Sequence, residues 1–201
     1  MLKLSLDKNT VEEIVIEALR VFKKGGIVAY PTESFYALGV MAYDEAALRR
    51  LHQLKKRPVE KAMPLIVGSR DILNIIVKSV PAQAEELMKN YWPGPLTIIF
   101  DAKENLSRLL ISGKGKIAVR IPGDSFALSL AKTADFPITA TSANISGKPP
   151  AQNSEEVINY FGENIDLVVN GPKTRGGKAS TIIDATVSPP KILREGSILL
   201  T

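Results

Sequence analysis

Ile138-Thr139-Ala140-Thr141-Ser142-Ala143-Asn144-Ile145-Ser146-Gly147 begins as an apolar run and ends as a turn of hydroxyl and carboxamide side chains closed by glycine. Ile138–Thr141 predicts a buried strand, fed by a helix from about Asp124 to Thr133. Ser142 and Asn144 then emerge at the carboxyl end of that strand, where open α/β sheets commonly bind ligands. A turn held by its own side-chain hydrogen bonds is the other reading of the same residues. The pattern recurs at two more places. Ile27–Tyr30 reads as a buried strand that leaves through Pro31-Thr32-Glu33-Ser34, and Ile117–Ile121 as one that ends at Arg120 with Pro122 just after. Ser34, Arg120, Ser142 and Asn144 are thus polar groups at strand exits, a placement that core packing does not require.

A second cluster lies at Lys55-Lys56-Arg57-Pro58…Lys61, with four cations in seven residues. It follows a helix capped by Asp44 and running to about Lys55, so the cations suit the negative end of the helix dipole. Pro58 suggests more, because it stiffens the loop and biases Arg57 to extended backbone. A fixed guanidinium offers parallel donors to a phosphate, and neighbouring lysines add point charges.

The remaining periodicities fill in an α/β chain. Thr10-Val11-Glu12-Glu13 is a capping box before apolar residues at helical spacing, and Gly25-Gly26 stops that helix. Strands are expected at Leu65–Val67, Pro95–Asp101, Asp166–Val169, Thr181–Val187 and Lys191–Leu193. Helices are expected near Asp71–Val77, over Pro81–Tyr91 and from Ser154. Strands alternate with helices early and crowd together late. The expected fold is therefore one twisted mixed β-sheet with helices on its faces, with Trp92-Pro93-Gly94-Pro95 as a tight turn rather than a domain break.

Composition narrows the chemistry. The chain of 201 residues has no cysteine and a single histidine, which excludes disulfides, thiolate catalysis, zinc–sulfur sites and His-pair metal motifs. His52, among Leu48, Leu51 and Leu54, reads as an ordinary packing or surface residue. Net charge is +5, and Asn105–Gly123 and Leu167–Ile183 carry cations without acids, so positive charge gathers on loops. Gly171–Lys178 resembles a phosphate-binding P-loop but fails its spacing, since the lysine stands at 178 and is followed by Ala179. No secretion signal or membrane-spanning run is legible, and a cytoplasmic protein is the expectation. Pattern alone thus predicts a phosphorylated or nucleotide ligand, bound by loops on one face of a sheet.

Seven segments, read in order, resemble the YrdC-like family of threonylcarbamoyl-adenylate synthases. They are Pro31–Gly39, Lys55-x-Arg57-Pro58-x-x-Lys61, Trp92–Thr97, Ala118–Pro122, Thr141–Gly147, Ser180–Asp184 and Leu193–Gly196. They span nearly the whole chain, and a single domain over residues 1–201, without the extra C-terminal domain of some relatives, is expected. The resemblance implies a concave basic cavity and a reaction in which L-threonine, bicarbonate and ATP give threonylcarbamoyl-AMP and pyrophosphate. It implies that separate tRNA threonylcarbamoyl transferase proteins consume the product, and it brings an association with tRNA or double-stranded RNA. The site residues follow from the same match. Lys55, Arg57, Ser142 and Asn144 would form the catalytic group. Arg57, Lys61, Lys116, Asn144, Gln152 and Arg194 would hold ATP, with Mg²⁺ riding on its phosphates and no protein metal site. Ser34, Arg120, Ser142 and Ser180 would hold threonine, Arg120 pairing its carboxylate.

The chain departs from the family pattern at three positions. Ile66 stands where many members have a threonine-site histidine, Ala37 where glycine is usual and Gln152 where threonine is frequent. Two other readings stay open. A YciO-like paralogue would act on another carbamoyl- or acyl-adenylate, and a non-catalytic RNA-binding module would use the same basic concavity. The twelve aromatic residues sit mostly in apolar patterns, which leaves few to stack on bases.

Overall fold

The computed structural model describes residues 1–58 and 61–198. Its elements are β1 (Leu2–Ser5), α1 (Val11–Lys23), β2 (Val28–Pro31), β3 (Tyr36–Gly39), α2 (Glu45–Leu54), β4 (Leu65–Ile66), α3 (Arg70–Asn74), α4 (Ala82–Tyr91) and β5 (Leu96–Asp101). There follow β6 (Lys116–Arg120), α5 (Phe126–Thr133), β7 (Ile138–Thr139), β8 (Thr141–Ser142), α6 (Ser154–Phe161), β9 (Leu167–Asn170), β10 (Thr181–Asp184) and β11 (Lys191–Arg194).

The α/β class is as expected, but the strands divide between two mixed sheets. One has the order β1-β9-β2-β3-β8, the other β11-β10-β5-β6-β4-β7. The division falls inside Ile138–Thr141. Thr139 pairs with Leu65 of the six-stranded sheet, whereas Thr141 pairs with Leu38 of the five-stranded one. Ala140 is the step between them, and Tyr30 in β2 reaches across to donate its hydroxyl to Thr139 O at 2.9 Å.

Alternation along the strands explains why the sheets need cover on both faces. In β2 and the residue before it, Ile27 and Ala29 pack into one apolar cluster, while Val28 and Tyr30 pack into another. The same period of two splits Val168 from Leu167 and Val169 in β9. The first cluster takes in α2, β5, β6 and α6; the second is closed by Ile14, Ala18 and Phe22 of α1 with Ala127 and Leu130 of α5. Each such fully buried large side chain contributes about 1.5–3 kcal/mol relative to exposure.

Local chemistry sets the helix ends. Thr10 and Glu13 form the reciprocal capping box, and Asp44 accepts from Ala47 N at 2.9 Å to start α2. Lys55 caps the far end of α2, and Lys56 takes a left-handed φ of 49° there. Pro81 stands at the N-cap of α4 rather than in its first turn. His52 is a packing residue, buried with Nε2 3.3 Å from Leu109 O. Among the described residues no helix is long and apolar enough to cross a membrane.

Candidate functional site

One hollow of about 240 Å³ opens between the two sheets. The five-stranded sheet supplies Thr32 and Ser34 from the loop after β2, Tyr36 from β3 and Ser142 from β8. The six-stranded sheet supplies Thr97, Arg120, Ser180 and Arg194, and the loop after α2 supplies Arg57. Arg120 ends β6, as expected, yet Thr97 and Ser180 lie at the starts of β5 and β10. This is geometric: β5 runs antiparallel to β6 and parallel to β10, so starts and ends meet on one side.

Each guanidinium is held by the protein through part of its donor set. Arg57 donates through Nε to Lys61 O and through Nη2 to Ala62 O, both at 2.8 Å. Arg194 donates through Nε and Nη2 to Ser180 O, at 3.0 and 2.8 Å, and through Nη2 to Ser180 Oγ at 3.1 Å. Ser180 Oγ also lies 2.9 Å from Thr97 Oγ1, which fixes its rotamer. Arg120 is buried, donates through Nη1 to Glu33 and forms an ion pair with it. Burial lowers the pKa of Arg57 and Arg194, and for Arg194 the neighbouring Arg120 charge adds to the shift. Two guanidinium groups that repel each other across a hollow are relieved by an anion placed between them.

Not every expected site residue reaches this hollow. Lys55 is buried, and its ammonium points into the loop after β8, donating to Ser142 O, to Asn144 O at 2.7 Å and to Asn144 Oδ1 at 3.1 Å. It braces the loop that presents Ser142, and Ser142 Oγ in turn donates to Asn144 Oδ1 at 2.7 Å. Asn144 and the exposed Lys61 lie outside the lining. Lys116 sits at the opposite end of β6 from Arg120, about 13 Å away at the usual strand rise, and its ammonium pairs with Asp184 Oδ2 at 2.8 Å. Lys116, expected to hold ATP, thus lies outside the lining of the hollow, with three residues of strand between it and Arg120.

Gln152 is likewise outside the lining. Its carbonyl accepts from Thr174 N at 2.9 Å, and Gly176 N donates to Ser34 O at 2.8 Å, so the basic stretch 173–178 is tied to the rim. Ile66 packs against the α1–α5 side of the sheet, while its neighbour Leu65 lines the hollow. The missing histidine therefore leaves no gap in the wall. Sequence reading gives no role to Glu33, which stands in the Pro31–Ser34 loop and holds Arg120 without lining the hollow itself.

Comparison with known proteins bears on the family and the fold. The family model described as Sua5_yciO_yrdC, telomere recombination, matches residues 20–196. A threonylcarbamoyl-AMP synthase of Pyrococcus abyssi is 38% identical over 194 residues, which are 96% of this chain and 57% of that protein. Its counterpart in Bacillus subtilis is 35% identical over 193 residues, 94% of this chain and 55% of that protein. The chain thus spans little more than half the length of these two relatives. The P. abyssi Sua5 structure complexed with L-threonine superposes with a TM-score of 0.89 at 37% identity, covering 97% of this chain and 57% of that one. Escherichia coli YciO gives 0.84 at 28% identity, covering 97% and 94%. The chain belongs to the Sua5/YciO/YrdC family.

Proposed function

We propose that this protein is a threonylcarbamoyl-AMP synthase, forming threonylcarbamoyl-AMP and pyrophosphate from L-threonine, bicarbonate and ATP. The observation that carries the reading is the convergence of Arg57, Arg120 and Arg194 with Ser34, Ser142 and Ser180 on one hollow. Such a site can hold two anions side by side, an amino-acid carboxylate and a polyphosphate. Threonine's amine condenses with bicarbonate, releasing water, and a carbamate oxygen then attacks the α-phosphorus as pyrophosphate leaves. Alignment of the two anions, and stabilisation of charge spreading onto the departing group, are tasks for fixed cations.

Roles follow the lining. Arg120, Ser34, Ser142 and Ser180 hold threonine, and Arg57 and Arg194 hold the phosphates, with Lys61 at the rim. Lys55 and Asn144 act on Ser142 through the loop they brace. Mg²⁺ would enter on the triphosphate, its charge shared with the phosphates that Arg57 and Arg194 hold. The product would pass, in the cytoplasm, to separate proteins that modify adenosine in tRNA. The full-length likeness to YciO favours a second reading, a paralogue acting on another carbamoyl- or acyl-adenylate. Incubation with ATP, bicarbonate and each amino acid separates the two. Pyrophosphate release that depends on threonine is the expected outcome; release with a different amino acid alone would support the paralogue, and release with none would remove the synthase.

A further inference from the structure

Phe35 lines the hollow, yet it stands apart from the other phenylalanines. Phe22, Phe100, Phe126, Phe136 and Phe161 are all buried in one or other apolar cluster, whereas Phe35 is half-buried and belongs to neither. Its main chain has nothing left to offer a ligand. Phe35 O accepts from Thr32 N at 3.0 Å and from Thr32 Oγ1 at 2.7 Å, which fills both lone pairs, and Phe35 N donates to Thr32 Oγ1 at 3.3 Å. What the residue presents is its ring. Tyr36, the other aromatic residue of the lining, is fully buried with its hydroxyl on Gly171, so it serves as wall. A phenyl ring kept out of both cores by a fixed turn, in a hollow otherwise set with guanidinium and hydroxyl groups, is a surface for a planar, uncharged group.

The ligands read for this hollow contain one such group. Phosphates and the amino-acid carboxylate suit the guanidinium groups, and hydroxyls suit the serines. The nucleobase alone is planar, uncharged and open on two π-faces. Stacked on a ring it is held by its face, a contact that every base can make and that is worth about five- to a hundredfold in affinity. The methyl group of threonine, a single carbon, would cover only a small part of the same ring. We infer that Phe35 is the platform on which the nucleobase of the bound nucleotide stacks, and so the residue that separates a nucleoside triphosphate from a bare polyphosphate. The inference rests on the nucleotide reading of the hollow given above.

Calorimetric titration of the full chain with ATP, with inorganic tripolyphosphate and with L-threonine, each in the presence of Mg²⁺, tests this. Phe35→Leu keeps an apolar side chain but removes the π-face. That variant should bind ATP about fivefold or more weakly, while tripolyphosphate and threonine stay within about twofold of the wild type. Phe35→Tyr restores the face and should bind ATP within about twofold of the wild type. Because Phe35 lies outside both clusters, neither substitution opens a core cavity, and unchanged melting temperatures check that. If Phe35→Leu weakens ATP and tripolyphosphate in equal measure, the ring is only a wall of the hollow; that overturns the inference while the nucleotide reading stands. Unchanged ATP affinity in Phe35→Leu overturns it as well, and so does a loss confined to threonine, since the ring would then cover the amino acid. Wild-type protein binding neither ATP nor tripolyphosphate overturns both the inference and the reading beneath it.

Discussion

Lys55 shows how a residue's chemistry can be read from sequence while its direction cannot. A cation at the end of a helix beside Arg57 suggests a hand for phosphate, but three oxygens of Ser142 and Asn144 receive its hydrogens instead. Burial, reinforced by the Arg57 charge, pulls its pKa from 10.5 down to about 7. The carbonyls that accept from it oppose that shift. Below pH 7 the ammonium is charged in both folded and unfolded chains. Between about 7 and 10.5 the unfolded chain binds more protons, so the Lys55 contribution to stability rises with pH across that window. Lys55→Met should lower stability at neutral pH by about 1–3 kcal/mol, since it leaves partly buried oxygens of Ser142 and Asn144 without their donor. Urea unfolding at pH 6 and pH 9 checks both points. The gap between wild type and variant should widen at the higher pH, and a gap that narrowed would remove the depressed lysine from the account.

At the scale of elements, legibility followed the range of the interactions. Capping boxes and alternating strands are local, and Thr10, Asp44 and Ile27–Tyr30 declared themselves. β1 did not, because four residues of modest hydrophobicity gain their strand only by pairing with β9, far along the chain. Tyr36–Gly39 passed as a motif, since alanine and glycine carry little strand propensity; pairing on both sides makes it β3. The break at Ala140 was hidden for the same reason, each half of one apolar run having a different partner sheet. Of the hollow's lining, the strand-exit residues Arg120, Ser142 and Ser34 are legible, whereas Lys116 and Lys61 carry the charge without lining it. Gly196 is legible only in three dimensions. A Cβ there would lie 2.2 Å from Thr181 N and 2.3 Å from Ala179 O, both backbone atoms on either side of Ser180. Gly196→Ala should therefore cost about 1–3 kcal/mol, as overpacking does. Because the clash falls between Arg194 and Ser180, it should weaken threonine binding as well as lower the melting temperature. A variant that melted early yet bound threonine normally would separate that strand pair from the site.

For the molecule as a whole, the consequence of a site shared by two sheets is mechanical coupling. Ser34, Tyr36 and Ser142 belong to the five-stranded sheet, and Thr97, Arg120 and Arg194 to the six-stranded one. Covalent continuity between the sheets near the hollow runs through Ala140, and the Glu33–Arg120 ion pair bridges them there without a backbone bond. A ligand gripped from both sides adds a further tie. Binding to the folded chain alone stabilises it by about 2.7 kcal/mol at a hundredfold excess over the dissociation constant. That stabilisation should be felt in both sheets at once. Hydrogen exchange followed with and without L-threonine and ATP should show added protection at β3 and β8 and, to a similar degree, at β6 and β10. Protection confined to β6 and β10 would mean that the ligand sits on the six-stranded sheet alone. In that case Ser34 and Ser142 would be wall rather than contact, and threonine would be held by Arg120 and Ser180 without help from across the hollow.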